Sequence, residues 1–141
     1  GIITTIIAIS FTAIPAFTRV TRSSAMSIRE MEYVEAAQSI GAGNARLLLT
    51  HILPNCVAPI VVQSTTSIVS AISLISTLSF IGLGIQPPTP EWGSMLSTGR
   101  EFIRSFYPIV TFPGLMIVFT LIGFNLFGDG LRDTLDPRLK Q

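Results

Sequence analysis

The sequence predicts an all-α, polytopic membrane protein with about three transmembrane helices, a cytoplasmic helical hairpin and an external loop. Charged residues make up only 12% of the 141 residues, whereas soluble domains carry about 25%. Lys, Arg, Asp and Glu are absent from residues 1–18, 47–90 and 105–128. A transmembrane helix needs about 20 mostly apolar residues, so each of these stretches can hold one.

The three predicted spans cover residues 1–18, 57–83 and 108–127 of a single transmembrane domain, residues 1–141. Gly1 opens directly into an apolar run, with neither an initiator Met nor a basic segment before it. This start does not resemble a signal peptide. We therefore expect the chain to be the C-terminal part of a longer membrane protein.

Basic residues predict how the chain is oriented in the membrane. The segment 19–56, here called the island, has four arginines, the tail 128–141 has three basic residues, and the loop 84–107 has two. Cytoplasmic loops carry the excess of Lys and Arg, so the island and the tail are predicted to be cytoplasmic and the loop external. Trp92 in that loop suits the lipid headgroup region, and it suits a folded external lid equally well.

Several kinds of chemistry have no support in the sequence. The net charge of +1 argues against a nucleic-acid partner, and Cys56, the only cysteine, cannot form an internal disulfide. No P-loop, HExxH or G-x-S-x-G pattern occurs. His51 is the only histidine and cannot assemble a histidine metal site alone, so we expect it to cap or pack near a helix end. We predict no catalytic residue and no metal ligand.

The island reads as two short helices joined by a glycine turn. "SIRE" at 27–30 fits a capping box that would start a helix. That helix would run to Ile40 and stop at Gly41, since glycine tolerates the left-handed conformation of a helix end. A second helix over about residues 44–53 would be closed by Pro54.

Two roles are open for this hairpin. It could lie on the inner membrane surface as an amphipathic element, or it could dock against another protein. Glu30, Glu32 and Glu35 make the first helix acidic, and anionic lipid would repel them. Ala36 and Ala37 are small and suit close approach by a protein, so we favour docking.

Hydroxyl side chains follow one face of the second span. They recur at i, i+4, i+7 and i+11, and they are Thr66, Ser70, Ser73 and Thr77. Small hydroxyl residues are common where membrane helices pack tightly. They could also line a hydrated pathway, because polar groups facing lipid are disfavoured. We rank packing slightly ahead and predict that this face points inward, toward the pathway or a partner permease.

The island also resembles a known family. "EAAQSIG", then nine residues, then "HILP" resembles the EAA loop of binding-protein-dependent ABC importer permeases, with His51 where the general pattern has Ile. The matching residues are Glu35, Ala36, Ala37, Gly41, Leu53 and Pro54. "HILPN", "FIGLGIQPPTPEWGSML" at 80–96 and "FGDGLRDTLDPRLK" at 127–140 resemble the dipeptide/oligopeptide/nickel subfamily.

This resemblance implies a role for the island. In such permeases the EAA loop is a coupling helix seated in a groove of the cytoplasmic ATPase subunit. Glu35 would then make a polar or ionic contact with that subunit, Ala36 and Ala37 would permit the close fit, and Gly41 would make the turn.

The resemblance further implies a permease subunit that forms part of the pathway for peptides or nickel and other metal chelates, in the inner membrane of a prokaryote. No cofactor is expected in this chain, because ATP and Mg²⁺ would bind in partner subunits. Expected partners are ABC ATPase subunits, a second permease subunit, an extracytoplasmic substrate-binding protein and membrane lipid. The alternative is a non-transport membrane protein, such as an intramembrane enzyme or a passive channel-like assembly component.

Overall fold

A computed structural model describes residues 2–85 and 88–135, and all regular structure within them is helical. The α-helices are α1 (Ile2–Arg29), α2 (Glu32–Ser39), α3 (Asn44–Arg46), α4 (Leu53–Phe80), α5 (Trp92–Gly99) and α6 (Pro108–Leu135). A π-helical segment, Leu47–Ile52, joins α3 to α4, and a 3-10 turn, Arg100–Phe102, follows α5. The predicted all-α class is confirmed.

Three helical units are long and apolar enough to cross a membrane: α1, the continuous unit Asn44–Phe80, and α6. A helix of 28 residues, the length of α1 and of α6, spans about 42 Å, more than the roughly 30 Å of a bilayer core. In the most apolar stretch of each unit, at most 6% of the residues are buried. Because the apolar side chains face outward, these helices need lipid or another protein around them, as in a polytopic membrane protein.

Helix α4 is the centre of the bundle and contacts α1, α5 and α6. It runs antiparallel to α6: α5 lies against Ser76 near the end of α4 and against Ile109 and Val110 at the start of α6. Gly128 near the end of α6 lies instead against Thr65 in the middle of α4. A Cβ atom on Gly128 would lie closer than 3.0 Å to the Thr65 hydroxyl. The small residue therefore permits this close approach.

Helix α5 packs between the end of α4 and the start of α6, at the end of the bundle opposite the island. Glu91 caps it, because a carboxylate oxygen accepts a hydrogen bond of 2.8 Å from the Ser94 amide. Gly93 rests directly on the backbone of Ser76 in α4. The loop predicted at 84–107 thus carries an ordered helix of its own.

Basic residues within the described ranges lie at both ends of the bundle, in two separate groups. Arg132 of α6 lines the same cleft as Val20 of α1 and Asn55 of α4, so the end of α6 lies beside the island. Arg100 and Arg104 follow α5 at the other end. The helices thus place the two groups of basic residues at opposite ends.

Two local predictions for the island are wrong. Ser27 does not cap a helix, because α1 continues to Arg29, with Ile28 buried in the island core. Helix α2 begins at Glu32 instead, and its N-cap residue, Met31, makes no side-chain cap. The second short helix does not close at Pro54, since the chain stays helical from Asn44 to Phe80.

Candidate functional site

Helix α2 is held on the bundle by a small apolar core. Val34 is its anchor, with only 2% of its surface exposed, and it packs with Ile28, Leu47 and Cys56. These residues come from α2, the end of α1, the π-helical segment and the start of α4. Burying a valine side chain stabilises by about 1.5–3 kcal/mol. The core therefore fixes α2 to three other elements at once.

The turn after α2 is built as predicted around Gly41. Gly41 has φ +88°, the left-handed conformation that glycine adopts at no steric cost. Its amide donates to the Gln38 carbonyl at 3.0 Å, and the Ala42 amide donates to the Ala37 carbonyl at 3.2 Å. This pair of bonds is the Schellman motif. Ala37 and Ala42 both pack on the island core, so the turn closes against the bundle.

With Val34 and Ala37 turned inward, α2 presents another face outward. We call Glu32, Glu35, Ala36 and Ser39 the outer face; all four are exposed. Of the three glutamates predicted to make this helix acidic, Glu32 and Glu35 lie on this face, whereas Glu30 precedes α2. Ile40, just past the helix, is 87% exposed, so the outer face ends in an apolar side chain. It presents carboxylates, a small residue and an apolar residue together.

Leu53 and Pro54, the other residues predicted for this site, lie at the first turn of α4 and are exposed, Leu53 by 46%. They follow the π-helical segment, in which the Leu53 amide donates to the Leu48 carbonyl, five residues back. Pro54 has no amide hydrogen to donate. The helix passes this position by changing its hydrogen-bonding register, which is why Pro54 does not end it.

His51 lies inside the π-helical segment and contacts Tyr33 of α2, with the ring centroids 6.2 Å apart. Asn55 Nδ2 donates to the His51 carbonyl at 2.7 Å and to the Tyr33 hydroxyl at 3.3 Å. The prediction that His51 packs is therefore confirmed, but it does not lie at a helix end. Tyr33 and Asn55 are 22 positions apart, and no local pattern in the sequence connects them.

All four side chains of the predicted hydroxyl stripe on α4 are exposed in the part of the chain that the structure describes. Ser70 and Thr77 bond to carbonyls of their own helix, at 3.0 and 2.8 Å. Thr66 and Ser70 line a cleft of about 190 Å³ between α4 and α1. The hydroxyl residues buried against neighbouring elements lie on a different face of α4, which the sequence pattern did not predict: Thr65, Ser76 and Ser79.

Within the residues that the structure describes, no group of three or more His, Cys, Asp or Glu side chains could hold a metal ion. The last five residues of the resembling segment 127–140 lie outside the described residues, and so do Gln86 and Pro87 in the segment 80–96. The described residues thus offer an exposed face on α2 and a cleft between α1 and α4 that is lined in part by hydroxyl side chains.

Comparison with known proteins connects this geometry to transport. Residues 1–141 match the family described as binding-protein-dependent transport system inner membrane component. A di/tripeptide transport system permease protein of Pseudomonas aeruginosa (strain UCBPP-PA14) is 49% identical over 140 residues, 99% of this chain and 46% of that protein.

Two further relatives carry similar names. A dipeptide transport system permease protein of Escherichia coli (strain K12) is 47% identical over 135 residues, 96% of this chain and 45% of that protein. A glutathione transport system permease protein of Escherichia coli O1:K1 / APEC is 46% identical over 140 residues, 99% of this chain and 46% of that protein. The chain spans about half the length of the curated relatives it matches.

Proposed function

This chain belongs to the family of binding-protein-dependent transport system inner membrane components, and we propose that it forms part of the translocation pathway of an ATP-driven importer. In this proposal α2 is the coupling helix, which docks on a separate ATPase subunit. ATP and Mg²⁺ bind in that subunit. A second permease subunit and an extracytoplasmic substrate-binding protein complete the transporter.

One observation carries the proposal: α2 is fixed on one side and exposed on the other. Val34 is 2% exposed in a core shared with α1 and α4, whereas Glu35 and Ala36 are exposed on the outer face. A short helix packed against two spans moves with them, because packed interiors have low compressibility and transmit strain. A flexible loop would absorb the same displacement.

The chemistry of the outer face favours a protein partner over lipid. Glu32 and Glu35 would be repelled by the anionic cytoplasmic leaflet. Ala36 offers no side-chain bulk, so a partner can approach the helix closely, and Ile40 adds an apolar contact at its end. We expect the partner to present an apolar groove with a hydrogen-bond donor or cation for Glu35.

The names of the relatives favour small peptides as the substrate. They are permeases for di/tripeptides, dipeptides and glutathione, and we propose the same class here. Such solutes carry amide and charged groups, so the pathway must offer polar contacts, and Thr66 and Ser70 beside the α1–α4 cleft are our candidates for it. Transport of nickel or other metal chelates stays a prediction from the subfamily resemblance.

The proposed orientation follows the positive-inside rule. The island and the end of α6, with Arg132, face the cytoplasm and the ATPase subunit of a prokaryotic inner membrane. The α5 end, with Arg100 and Arg104, faces the substrate-binding protein.

The test is a charge reversal on the outer face in the full-length permease, assembled with its partner permease and ATPase. Glu35→Lys is expected to reduce co-purification of the ATPase subunit and ATP-dependent dipeptide uptake together, by about tenfold, the effect of losing a charge-assisted contact of about 1.5 kcal/mol. Glu101→Lys, the same change at an exposed glutamate beside α5, is the matched control. It should retain the ATPase.

The opposite pattern would contradict the proposal. If Glu35→Lys keeps both ATPase binding and uptake while the island stays folded, α2 is not the docking helix. Equal loss in both variants would point to a general effect of charge on assembly, and it would also count against α2.

A further inference from the structure

The backbone joins α2 to the transmembrane helices only through interruptions of regular α-helix. Two residues outside any helix separate α2 from α1, and the chain turns at Gly41 before it enters α3. From α3 it reaches α4 only through the π-helical segment, Leu47–Ile52. π-Helical turns are rare and often mark functional sites. Pro54 then contributes no amide hydrogen to the helix.

One polar contact bypasses this route. Asn55, in the first turn of α4, reaches α2 directly through the Tyr33 hydroxyl, 3.3 Å from Nδ2. The same Nδ2 donates to the His51 carbonyl at 2.7 Å, and the Tyr33 ring contacts the His51 ring. Three side chains thus join α2, the π-helical segment and α4.

We propose that Tyr33 and Asn55 are positioning residues that carry movement of α2 into α4, past the π-helical segment and Pro54. This inference rests on the proposed function of α2 as the coupling helix. Tyr33 lies on neither the outer face nor the buried face of α2, since it is 44% exposed and turned toward Asn55. It therefore acts between α2 and α4 and not on the ATPase.

The apolar core alone does not fix the rotation of α2 relative to α4. Apolar burial is non-directional, so Val34 resists removal of α2 from the bundle but resists its rotation less. A hydrogen bond weakens steeply when its angle is lost. The Tyr33–Asn55 bond therefore fixes the rotation of α2 relative to α4, which a coupling helix needs in order to push in one direction.

The experiment removes only the hydroxyl of Tyr33. The full transporter, with ATPase, partner permease and substrate-binding protein, is reconstituted in proteoliposomes carrying Tyr33→Phe. Dipeptide transported per ATP hydrolysed is expected to fall about two- to fivefold, the lower part of the range that corresponds to one net hydrogen bond. Co-purification of the ATPase should not change. Tyr107→Phe, the same change at the other tyrosine, which is 70% exposed and follows α5, should leave the ratio unchanged.

A second variant separates positioning from stability. Asn55→Ala loses both hydrogen bonds and should lower the ratio at least as much as Tyr33→Phe. Adding Tyr33→Phe to Asn55→Ala should lower it no further, because both act through one contact. A structural role alone would lower the amount of folded transporter and leave transport per ATP unchanged.

The outcomes distinguish this inference from the proposed function. A wild-type ratio in Tyr33→Phe with the ATPase bound, or additive losses in the double variant, would overturn this inference alone. If the wild-type permease binds its ATPase subunit without a contact from α2, the proposed function fails, and this inference fails with it.

Discussion

The two ends of the bundle are held together by opposite means. At the island end, side chains fill the contact: Val34 and Cys56 are 2% and 1% exposed in a shared apolar core. At the α5 end, missing side chains make the contact, since Gly93 rests on the backbone of Ser76 and Gly99 on side chains of α6.

The difference lies in what fills each contact. The island core consists of apolar side chains, whose burial is driven by the hydrophobic effect. At the α5 end the backbones approach so closely that there is no room for a Cβ atom on Gly93. The island is therefore sensitive to loss of volume, and the α5 end to gain of volume.

The largest expected effect comes from adding volume at the α5 end. A Cβ on Gly93 would lie closer than 3.0 Å to three backbone atoms of Ser76, which cannot move aside. Gly93→Ala should lower the free energy of unfolding of the full-length permease by about 3 kcal/mol, measured as a drop in Tm in detergent. Gly123→Ala in α6, with nothing within 4 Å of its Cβ, should not lower it. Equal Tm values for the two variants would contradict the close contact.

Removing volume from the island should have the next largest effect. Val34→Ala deletes two methyl groups from a site that is 2% exposed and should cost about 2 kcal/mol, a transfer and a cavity contribution. Proteolysis of the island should become faster. Val57→Ala, where the side chain is 52% exposed, is the control. If both variants are cleaved at the wild-type rate, the core does not hold α2.

Two glycines at the turn after α2 can be compared without any steric clash of an added side chain. Gly41 and Gly43 both have nothing within 4 Å of an added Cβ, but φ is +88° at Gly41 and −68° at Gly43. Gly41→Ala should cost about 1 kcal/mol through backbone strain. Gly43→Ala should be neutral or slightly stabilising. Chemical unfolding of the two variants would reveal the difference, and the reverse order would rule out the left-handed turn.

The smallest effect on stability is expected on the hydroxyl stripe. Ser70 bonds the Thr66 carbonyl in its own helix and is exposed, so Ser70→Ala should change the free energy of unfolding by less than about 0.5 kcal/mol. A cysteine at this position should react with a water-soluble maleimide if the face lines a pathway. Reaction only with a lipid-soluble reagent would show that the face meets lipid.

The architecture was largely predictable because charge and hydropathy are regular over long segments. The all-α polytopic class, the family and the non-enzymatic character are confirmed by the helices and by relatives named as transport permeases. The turn at Gly41 was also predictable, since only glycine adopts its φ freely. The failure of the predicted capping box could not be foreseen from the sequence. Burial of Ile28 keeps Ser27 inside α1 against its local preference.

Within the site, the residues on one helix were predictable and the contacts between helices were not. The exposure of Glu35 and Ala36 on one side of α2 follows from their order in the chain, and their contact with a partner stays a prediction. Ala37 instead packs on the island core, where Val34 became the anchor only because Leu47 and Cys56 pack on it. Pro54 predicts a helix end, but the π-helical register before it lets the helix continue. Long-range packing thus decides the role of Val34, and the hydrogen-bonding register of the preceding segment decides that of Pro54.

The most direct test of α2 as the docking helix compares two cysteines on opposite sides of the α2 turn in the full-length transporter. With Cys56→Ser as background, which keeps the size of the buried side chain, Ala36→Cys lies on the outer face and Ala42→Cys lies against the island core. After cross-linking in native membranes, mass spectrometry should identify an ATP-binding-cassette subunit captured from position 36 and not from position 42. Capture of lipid or of nothing at position 36 would contradict the account and make the island a membrane-surface hairpin.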